Sequence, residues 1–339
     1  MIDFSASINP LGPPRAARKA FVESYNHISR YPEPYGERLK AALAERHGLS
    51  ASEVLLGNGS TQLIYLLCAA LRPQRALIVG PAFGEYANAL RLGGAEICQF
   101  ALSADDGFHF SIKRLMAAWD KDCDVVVLTT PNSVTGRLIP QTDLENIARL
   151  ASTRRCFLVV DETFIDFIET ESIKFLVRQN PHLIVLRSLT KYYALPGLRL
   201  GYLLAESGLL ARIAGYQEPW SVNAPALNVA LACLKAPGFA TKTARWLRSE
   251  RPFLMRRLAA LPGLRPFSSE ANFLLVKLAP SLPDSLQLRS FLARRKVLIR
   301  PCDSFIELGP RYFRVAIKQR RDNLRLLAAL AEWSAPENQ

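Results

Sequence analysis

Three short apolar runs set the frame of the chain. Val125 to Leu128 ends in Thr129-Thr130-Pro131-Asn132, Phe157 to Val160 ends in Asp161-Glu162, and Leu183 to Leu186 leads through Arg187 and Ser188 to Lys191. Unbroken Val, Ile and Leu over such lengths predicts strands covered on both faces, as in a parallel sheet. Their spacing of about 30 residues is that of strand–helix–strand units. All three polar ends then fall on the carboxyl edge of one sheet, where ligands bind. A fourth short strand is predicted over Ala76 to Gly80, and helical patterns run from Glu37 to His47, ending at Gly48, and from Gln62 to Leu71.

The second part of the chain is expected to start at the boundary Lys235-Ala236-Pro237-Gly238. Beyond it the pattern predicts a helix broken at Pro252, strands at Phe273 to Leu278, Val297 to Arg300 and Tyr312 to Ile317, and a last helix from Arg321 to Trp333. The fold class is therefore α/β: a large unit with a mostly parallel central sheet flanked by helices, and a smaller α/β unit. The expected division is an N-terminal arm over 1–36 packing with the small unit, a large unit over 37–235 and a small one over 236–339. Pro and Gly between Phe4 and Pro14, and again from Arg30 to Gly36, argue that these two pieces of the arm are extended.

Composition narrows the classes. The 339 residues, 49% of them hydrophobic, suffice for a large core. No apolar run approaches the roughly 18 residues that a membrane span needs, and Met1 to Ser5 has no signal-peptide pattern, so the expectation is a cytoplasmic protein without a membrane partner. Six cysteines, at 68, 98, 123, 156, 233 and 302, include no Cys-x-x-Cys pair, and no metal is expected. The net charge of +13 fits nucleic acid, anionic ligands or simply a basic surface. Lys and Arg are dense only at Arg245 to Arg257 and Lys318 to Arg325, which read as solvated helix faces, so nucleic acid is not expected.

The candidate chemistry centres on Leu189 to Tyr202. A lysine just past a strand is partly desolvated, which lowers its pKa from about 10.4 and leaves an amine able to form a Schiff base. Ser188 lies three residues before Lys191 and Arg199 eight after, a hydroxyl and a cation suited to a phosphate. By itself the segment is better explained by a surface lysine, one among 43 Lys and Arg residues. Val54 to Thr61 brings Gly59, Ser60 and Thr61 to a helix start, where free N–H groups attract an anion; a plain Ser/Thr cap accounts for them too.

The order Ser188-x-x-Lys191, Pro196-Gly197-Leu198-Arg199, Gly201-Tyr202 resembles the Schiff-base segment of fold-type I pyridoxal-phosphate enzymes, in the branch containing histidinol-phosphate aminotransferases and threonine-phosphate decarboxylases. The resemblance covers nearly the whole chain. It implies pyridoxal 5′-phosphate bound covalently to Lys191, with Ser188, Arg199, Gly59, Ser60 and Thr61 on its phosphate. Phe83 would stack on the pyridine ring, where a core Phe is the alternative, and Asp161 would keep the ring nitrogen protonated, where a cap is the alternative. Tyr31 would cross a homodimer interface to the partner's cofactor phosphate. Asn9, Arg300 and Arg314 would hold the anionic groups of a small phosphorylated amino acid; an Asn-Pro turn and solvent-facing arginines are the plainer readings.

Asp3 to Pro13, Asp161 to Phe167 and Glu218 to Asn223 resemble the decarboxylase side of that branch. This implies a PLP-dependent carboxy-lyase acting on L-threonine O-3-phosphate in cobalamin biosynthesis. The alternatives are amino transfer from histidinol phosphate, decarboxylation of L-serine O-phosphate, and a non-catalytic basic binding protein. Two departures stand out. Where the family has Asn-Asn-Pro-Thr-Gly this chain has Asn132-Ser133-Val134-Thr135-Gly136, so the contact to the ring oxygen falls to Ser133 or a shifted Asn132, and Phe164 replaces a common Tyr donor.

Overall fold

In the computed structural model, which describes residues 1–334, each of the three apolar runs is a strand. In chain order the first half comprises β1 (Ile2–Asp3), α1 (Arg15–Tyr25), α2 (Glu37–His47), β2 (Val54–Asn58), α3 (Gly59–Leu71), β3 (Arg75–Gly80), α4 (Glu85–Leu92), β4 (Glu96–Ala101), α5 (Ile112–Ala118), β5 (Val125–Thr129), α6 (Gln141–Thr153), β6 (Phe157–Asp161), β7 (Leu183–Ser188), β8 (Leu200–Ala205), α7 (Ser207–Ala214) and α8 (Ala224–Leu234). The seven-stranded sheet has the order β2-β8-β7-β6-β5-β3-β4, parallel except where β8 pairs antiparallel with β2 and β7.

Successive residues of a strand point to opposite faces, and the cores follow that alternation. Val126, Leu128, Leu158, Val160 and Val185 join one buried cluster, while Val125, Val127, Val159, Ile184 and Leu186 join another on the opposite face. This double coverage is why the runs are continuously apolar.

The rest of the chain forms α9 (Phe239–Ala259), β9 (Leu264–Pro266), β10 (Phe273–Leu278), α10 (Ser285–Arg294), β11 (Val297–Leu298), β12 (Arg300–Pro301), β13 (Tyr312–Ala316) and α11 (Arg320–Trp333). An antiparallel sheet of order β12-β13-β10-β9 packs its apolar face into a third cluster with Leu247, Leu254, Leu258 and Leu330. β1 pairs with β11, Phe4 N donates to Leu298 O and Ala316 N to Phe4 O, so the first residues of the chain are stitched to this sheet. The last five residues of the expected 236–339 unit lie outside the described residues.

Two expectations need correcting, and one helix was not foreseen. Pro252 does not break the helix: α9 is continuous through it. An interior proline costs about 3 kcal/mol, but Trp246, Leu247, Leu254 and Leu258 on either side are all buried, each at roughly 1.5–3 kcal/mol. The Val297 to Arg300 strand is two strands, because β11 serves β1 and β12 serves β13, with buried Ile299 between. Residues 15–25 of the arm are helical and pack on α8, a helix that the pattern did not reveal because Phe21, Val22 and Tyr25 face outward.

Candidate active site

The carboxyl ends of β5, β6 and β7 meet as their register requires, Thr129 opposite Asp161 and Asp161 opposite Leu186. Asp161 is 3% exposed. Its Oδ1 accepts from Thr163 N at 2.9 Å and its Oδ2 from the Tyr86 hydroxyl at 2.9 Å. Burial pushes this carboxyl up from its ordinary range, and Thr163, Tyr86 and the Lys191 charge oppose the rise. Lys191 follows β7 as expected. Burial lowers its pKa, Arg314 and Arg199 lower it further, and Asp161 works against them. The result is a lysine biased toward the free amine.

Beside it lies an anion cradle. Gly59 opens α3 at φ +76° and is packed so closely that a Cβ there would lie 2.5 Å from Arg199 Nη2. A Cβ on Gly201 would lie 2.7 Å from Ser60 N. The guanidinium therefore rests over the first residue of α3, where Ser60 and Thr61 follow and N–H groups lack helical partners. Ser188 Oγ is 2.8 Å from Thr190 Oγ1, which joins a second hydroxyl to the group.

On the other side Arg300 and Arg314 are direct Cα partners of β12 and β13. Arg314 Nη1 donates to Ser133 O at 2.5 Å, its guanidinium lies 4.8 Å from the Phe273 ring centroid, and its Nε is buried without a partner. No carboxylate pairs with it among the described residues. Burial lowers its pKa to about 10, and Arg300 pushes in the same direction. Arg300 is exposed and reaches Ser304 Oγ at 3.4 Å. Phe83 is 43% exposed rather than a core residue, and lines a cavity of about 340 Å³ with Arg300, Glu85, Asn88 and Glu307.

Not every expected residue has a free hand. Asn9 N donates to Lys191 O, which brings the arm to the site. Its Nδ2, however, donates to Tyr192 O and Thr243 Oγ1, and its Oδ1 accepts from Leu11 N, so the amide holds the arm down rather than pointing at a substrate. Asn132 is likewise occupied: Nδ2 donates to Pro81 O and Oδ1 accepts from Val134 N and Thr135 N. Most of the Asn132 amide is thus committed to backbone, with one N–H of Nδ2 left over, whereas Ser133 Oγ is buried with no partner. Tyr31 is 85% exposed and rests on Trp220, with ring centroids 5.1 Å apart. Reasoning from sequence missed Tyr86 and Thr190. Tyr86 carried no signal, and Thr190 sits next to Lys191 as a second hydroxyl.

No cluster of three or more metal-ligating side chains occurs among the described residues, and none of their helices is long and apolar enough to cross a membrane. The sequence model of the aminotransferase class I and II family matches residues 1–330. Threonine-phosphate decarboxylase of Salmonella typhimurium strain LT2 is 40% identical over 333 residues, 97% of this chain and 90% of that protein. Among solved structures, the histidinol-phosphate aminotransferase of Clostridium acetobutylicum has TM-score 0.91 at 28% identity, with 98% of each chain covered. The L-threonine-O-3-phosphate decarboxylase of Porphyromonas gingivalis has TM-score 0.87 at 28% identity, covering 98% of this chain and 99% of that one.

Pyridoxal 5′-phosphate is the cofactor of these enzymes, and the residues present fit it. The Lys191 amine, its pKa lowered by burial, the buried Asp161 carboxyl and the Arg199 cradle that a Cβ on Gly59 would fill suit its aldehyde, its ring nitrogen and its phosphate. The unpartnered Ser133 Oγ suits a ring oxygen. By its sequence from 1 to 330 and by its fold, the chain belongs to the aminotransferase class I and II family of fold-type I pyridoxal-phosphate enzymes.

Proposed function

We propose that this chain is a pyridoxal-phosphate-dependent carboxy-lyase that converts L-threonine O-3-phosphate to (R)-1-amino-2-propanol O-2-phosphate and CO2 in cobalamin biosynthesis. The observation that carries the reading is the pair Arg300 and Arg314, two cations side by side with no carboxylate on Arg314. Like charges directly opposite in a sheet are unfavourable, so an anionic ligand is needed to offset them. A substrate with both a phosphate and a carboxylate supplies two anionic groups, and the 40% identity to the Salmonella decarboxylase points to threonine phosphate.

The bound cofactor supplies an electron sink for the pair released when a bond to Cα breaks. Lys191 anchors it through Nζ, and Asp161 holds a proton on the ring nitrogen opposite its carboxylate. Ser188, Arg199 and the start of α3, with Gly59, Ser60 and Thr61, fix the cofactor phosphate. Ser133 Oγ takes the ring-oxygen contact, and Phe83 covers one ring face. Arg300 and Arg314 grip the substrate's two anionic groups and so set which substituent of Cα is free to leave. The substrate's amine would take the place of Lys191 on the cofactor and leave its protons on Nζ, and the freed Nζ would return one of them to Cα after CO2 departs.

In this reading residues 37–235 are the cofactor unit, 236–339 the smaller unit and 1–36 the arm, and the enzyme works in the cytoplasm as a homodimer. Phe21, Val22 and Tyr25 on α1 and Ile28 in the turn after it are 53%, 62%, 74% and 71% exposed, which supports a second copy covering α1 and Tyr31. Light scattering on the purified protein tests the dimer.

The activity test incubates purified, cofactor-loaded protein with L-threonine O-phosphate and no keto acid. Equal release of CO2 and phosphorylated amine over many turnovers is expected. The C. acetobutylicum structure favours a second reading, a histidinol-phosphate aminotransferase. Amine transfer from histidinol phosphate to 2-oxoglutarate, with no CO2, would establish that one instead. L-Serine O-phosphate in parallel sets the substrate range, since one methyl group discriminates weakly.

A further inference from the structure

Tyr86 is fully buried, 2% exposed, and its hydroxyl donates to Asp161 Oδ2 at 2.9 Å. It sits in the first turn of α4, and its backbone N donates to Phe83 O at 3.2 Å. A single residue thus joins the exposed aromatic at the mouth of the site to the buried carboxylate at its floor. The body of the ring packs into the cluster with Val125, Val127 and Val159, so it has little freedom to turn away.

Asp161 is held by two residues, Thr163 through its N–H on Oδ1 and its side-chain hydroxyl, and Tyr86 through its hydroxyl on Oδ2. The Lys191 charge is the remaining favourable influence on a carboxylate that burial otherwise drives toward its neutral form. Each oxygen keeps acceptor capacity, because a carboxylate oxygen takes more than one donor. With Thr163 and Tyr86 pinning the two oxygens, rotation of the carboxylate about its Cβ–Cγ bond would break both hydrogen bonds at once.

We propose that Tyr86 is a positioning residue: its hydroxyl holds the Asp161 carboxylate in the orientation and ionised form in which it faces the cofactor ring nitrogen, and it ties that carboxylate to the Phe83 loop. The inference rests on the decarboxylase reading for its assay and on the cofactor for its physical content. Tyr86 touches neither substrate nor cofactor and acts through Asp161. A hydrogen bond to an ionised group is strong enough that its loss shows as roughly a 10- to 100-fold effect.

Tyr86→Phe keeps the ring and removes only the hydroxyl. Wild-type holoenzyme, Tyr86→Phe, Asp161→Asn and the double variant are compared for cofactor dissociation constant, by absorbance titration of the apoprotein with pyridoxal phosphate, and for kcat and KM with L-threonine O-phosphate. Tyr86→Phe is expected to lower kcat roughly 10- to 100-fold with KM changed less than about 3-fold, and to weaken cofactor binding. In the Asp161→Asn background the same substitution is expected to change kcat and cofactor binding by less than about 3-fold, because its route of action is gone. Equal effects in both backgrounds, or an unchanged kcat, would overturn the proposal. If Tyr86→Phe proves too unstable to purify, the wild-type and Asp161→Asn apoproteins decide through Tyr86 itself: its hydroxyl proton, read by NMR, is expected to shift markedly between the two, and no shift refutes the link. A wild type that binds cofactor yet releases no CO2 defeats the decarboxylase reading alone, since the dissociation constants still test Tyr86.

Discussion

Arg300 and Arg314 face each other as Cα partners across β12 and β13, and Arg314 is anchored only by backbone carbonyls and the face of Phe273. A fold optimised for stability alone has no use for a half-buried cation opposite another cation. Arg314→Met, which keeps most of the volume, is therefore expected to leave the melting temperature of the apoprotein unchanged or raise it, while kcat/KM falls by roughly 10²-fold through lost anion binding. Thermal unfolding and steady-state kinetics on the same preparation check both halves. A destabilised Arg314→Met with normal KM would show that Arg314 is structural.

Lys191 leads to a pH dependence with a definite sign. Burial, Arg314 and Arg199 lower its pKa, so between the folded value and the unfolded value of about 10.4 the unfolded chain holds a proton that the folded chain lacks. Unfolding free energy contributed by this group therefore rises with pH across that window. At neutral pH apo Lys191→Met is expected to be more stable than apo wild type, and the gap should shrink as pH rises toward 10. Urea midpoints of both apoproteins at about pH 7 and 9.5 test this; a gap that widens refutes it.

Behind the site, Arg187 is fully buried with Glu162 Oε2 at 3.1 Å, Asp166 Oδ1 at 3.3 Å and Glu169 also in contact. Arg187 flanks Ser188 and Glu162 flanks Asp161, so the network locks together the two strand ends that carry the site. Arg187→Ala strands buried carboxylates and is expected to cost about 3–5 kcal/mol. Adding Glu162→Gln should recover part of that loss. Denaturant midpoints of the single and double variants measure it, and additive losses would contradict the pairing.

His47 adjoins the same network, its Nε2 2.9 Å from the Tyr202 hydroxyl. Burial, together with Arg187 and Lys174, pushes its pKa down to about 3 from 6.5. Between those values the unfolded chain binds a proton that the folded chain refuses, so stability declines as pH falls from 6.5 toward 3. His47→Gln is expected to flatten this acid loss, seen as a smaller difference between urea midpoints at about pH 7 and 4.5. An unchanged pH slope would assign the acid loss elsewhere.

Gly59 is constrained twice, by its positive φ of +76° and by Arg199 Nη2 at 2.5 Å from where a Cβ would sit. Gly59→Ala is expected to cost about 1–2 kcal/mol of stability through the left-handed backbone and to displace the guanidinium, weakening pyridoxal-phosphate binding roughly tenfold. Equilibrium dialysis of the apoprotein against cofactor gives the second number. Unaltered affinity would place the phosphate elsewhere.

The alternation of buried residues along β5, β6 and β7, the polar residues at their ends, the stop at Gly48 and the place of Lys191 just past β7 were all legible in the sequence, because each depends on residues close together in the chain. Local pattern failed where one stretch serves two partners, as at Val297 to Arg300, or where distant packing outweighs local cost, as at Pro252. Only the tertiary structure decided that Asn9 and Asn132 spend their amides on backbone and hydroxyl groups, that Ser133 Oγ stays unpartnered, and that Tyr86, 75 residues away in sequence, reaches Asp161. Sequence determines which donors and acceptors a chain owns; which of them remain free is settled by what folding brings beside each one, and buried polar groups take the nearest partner available.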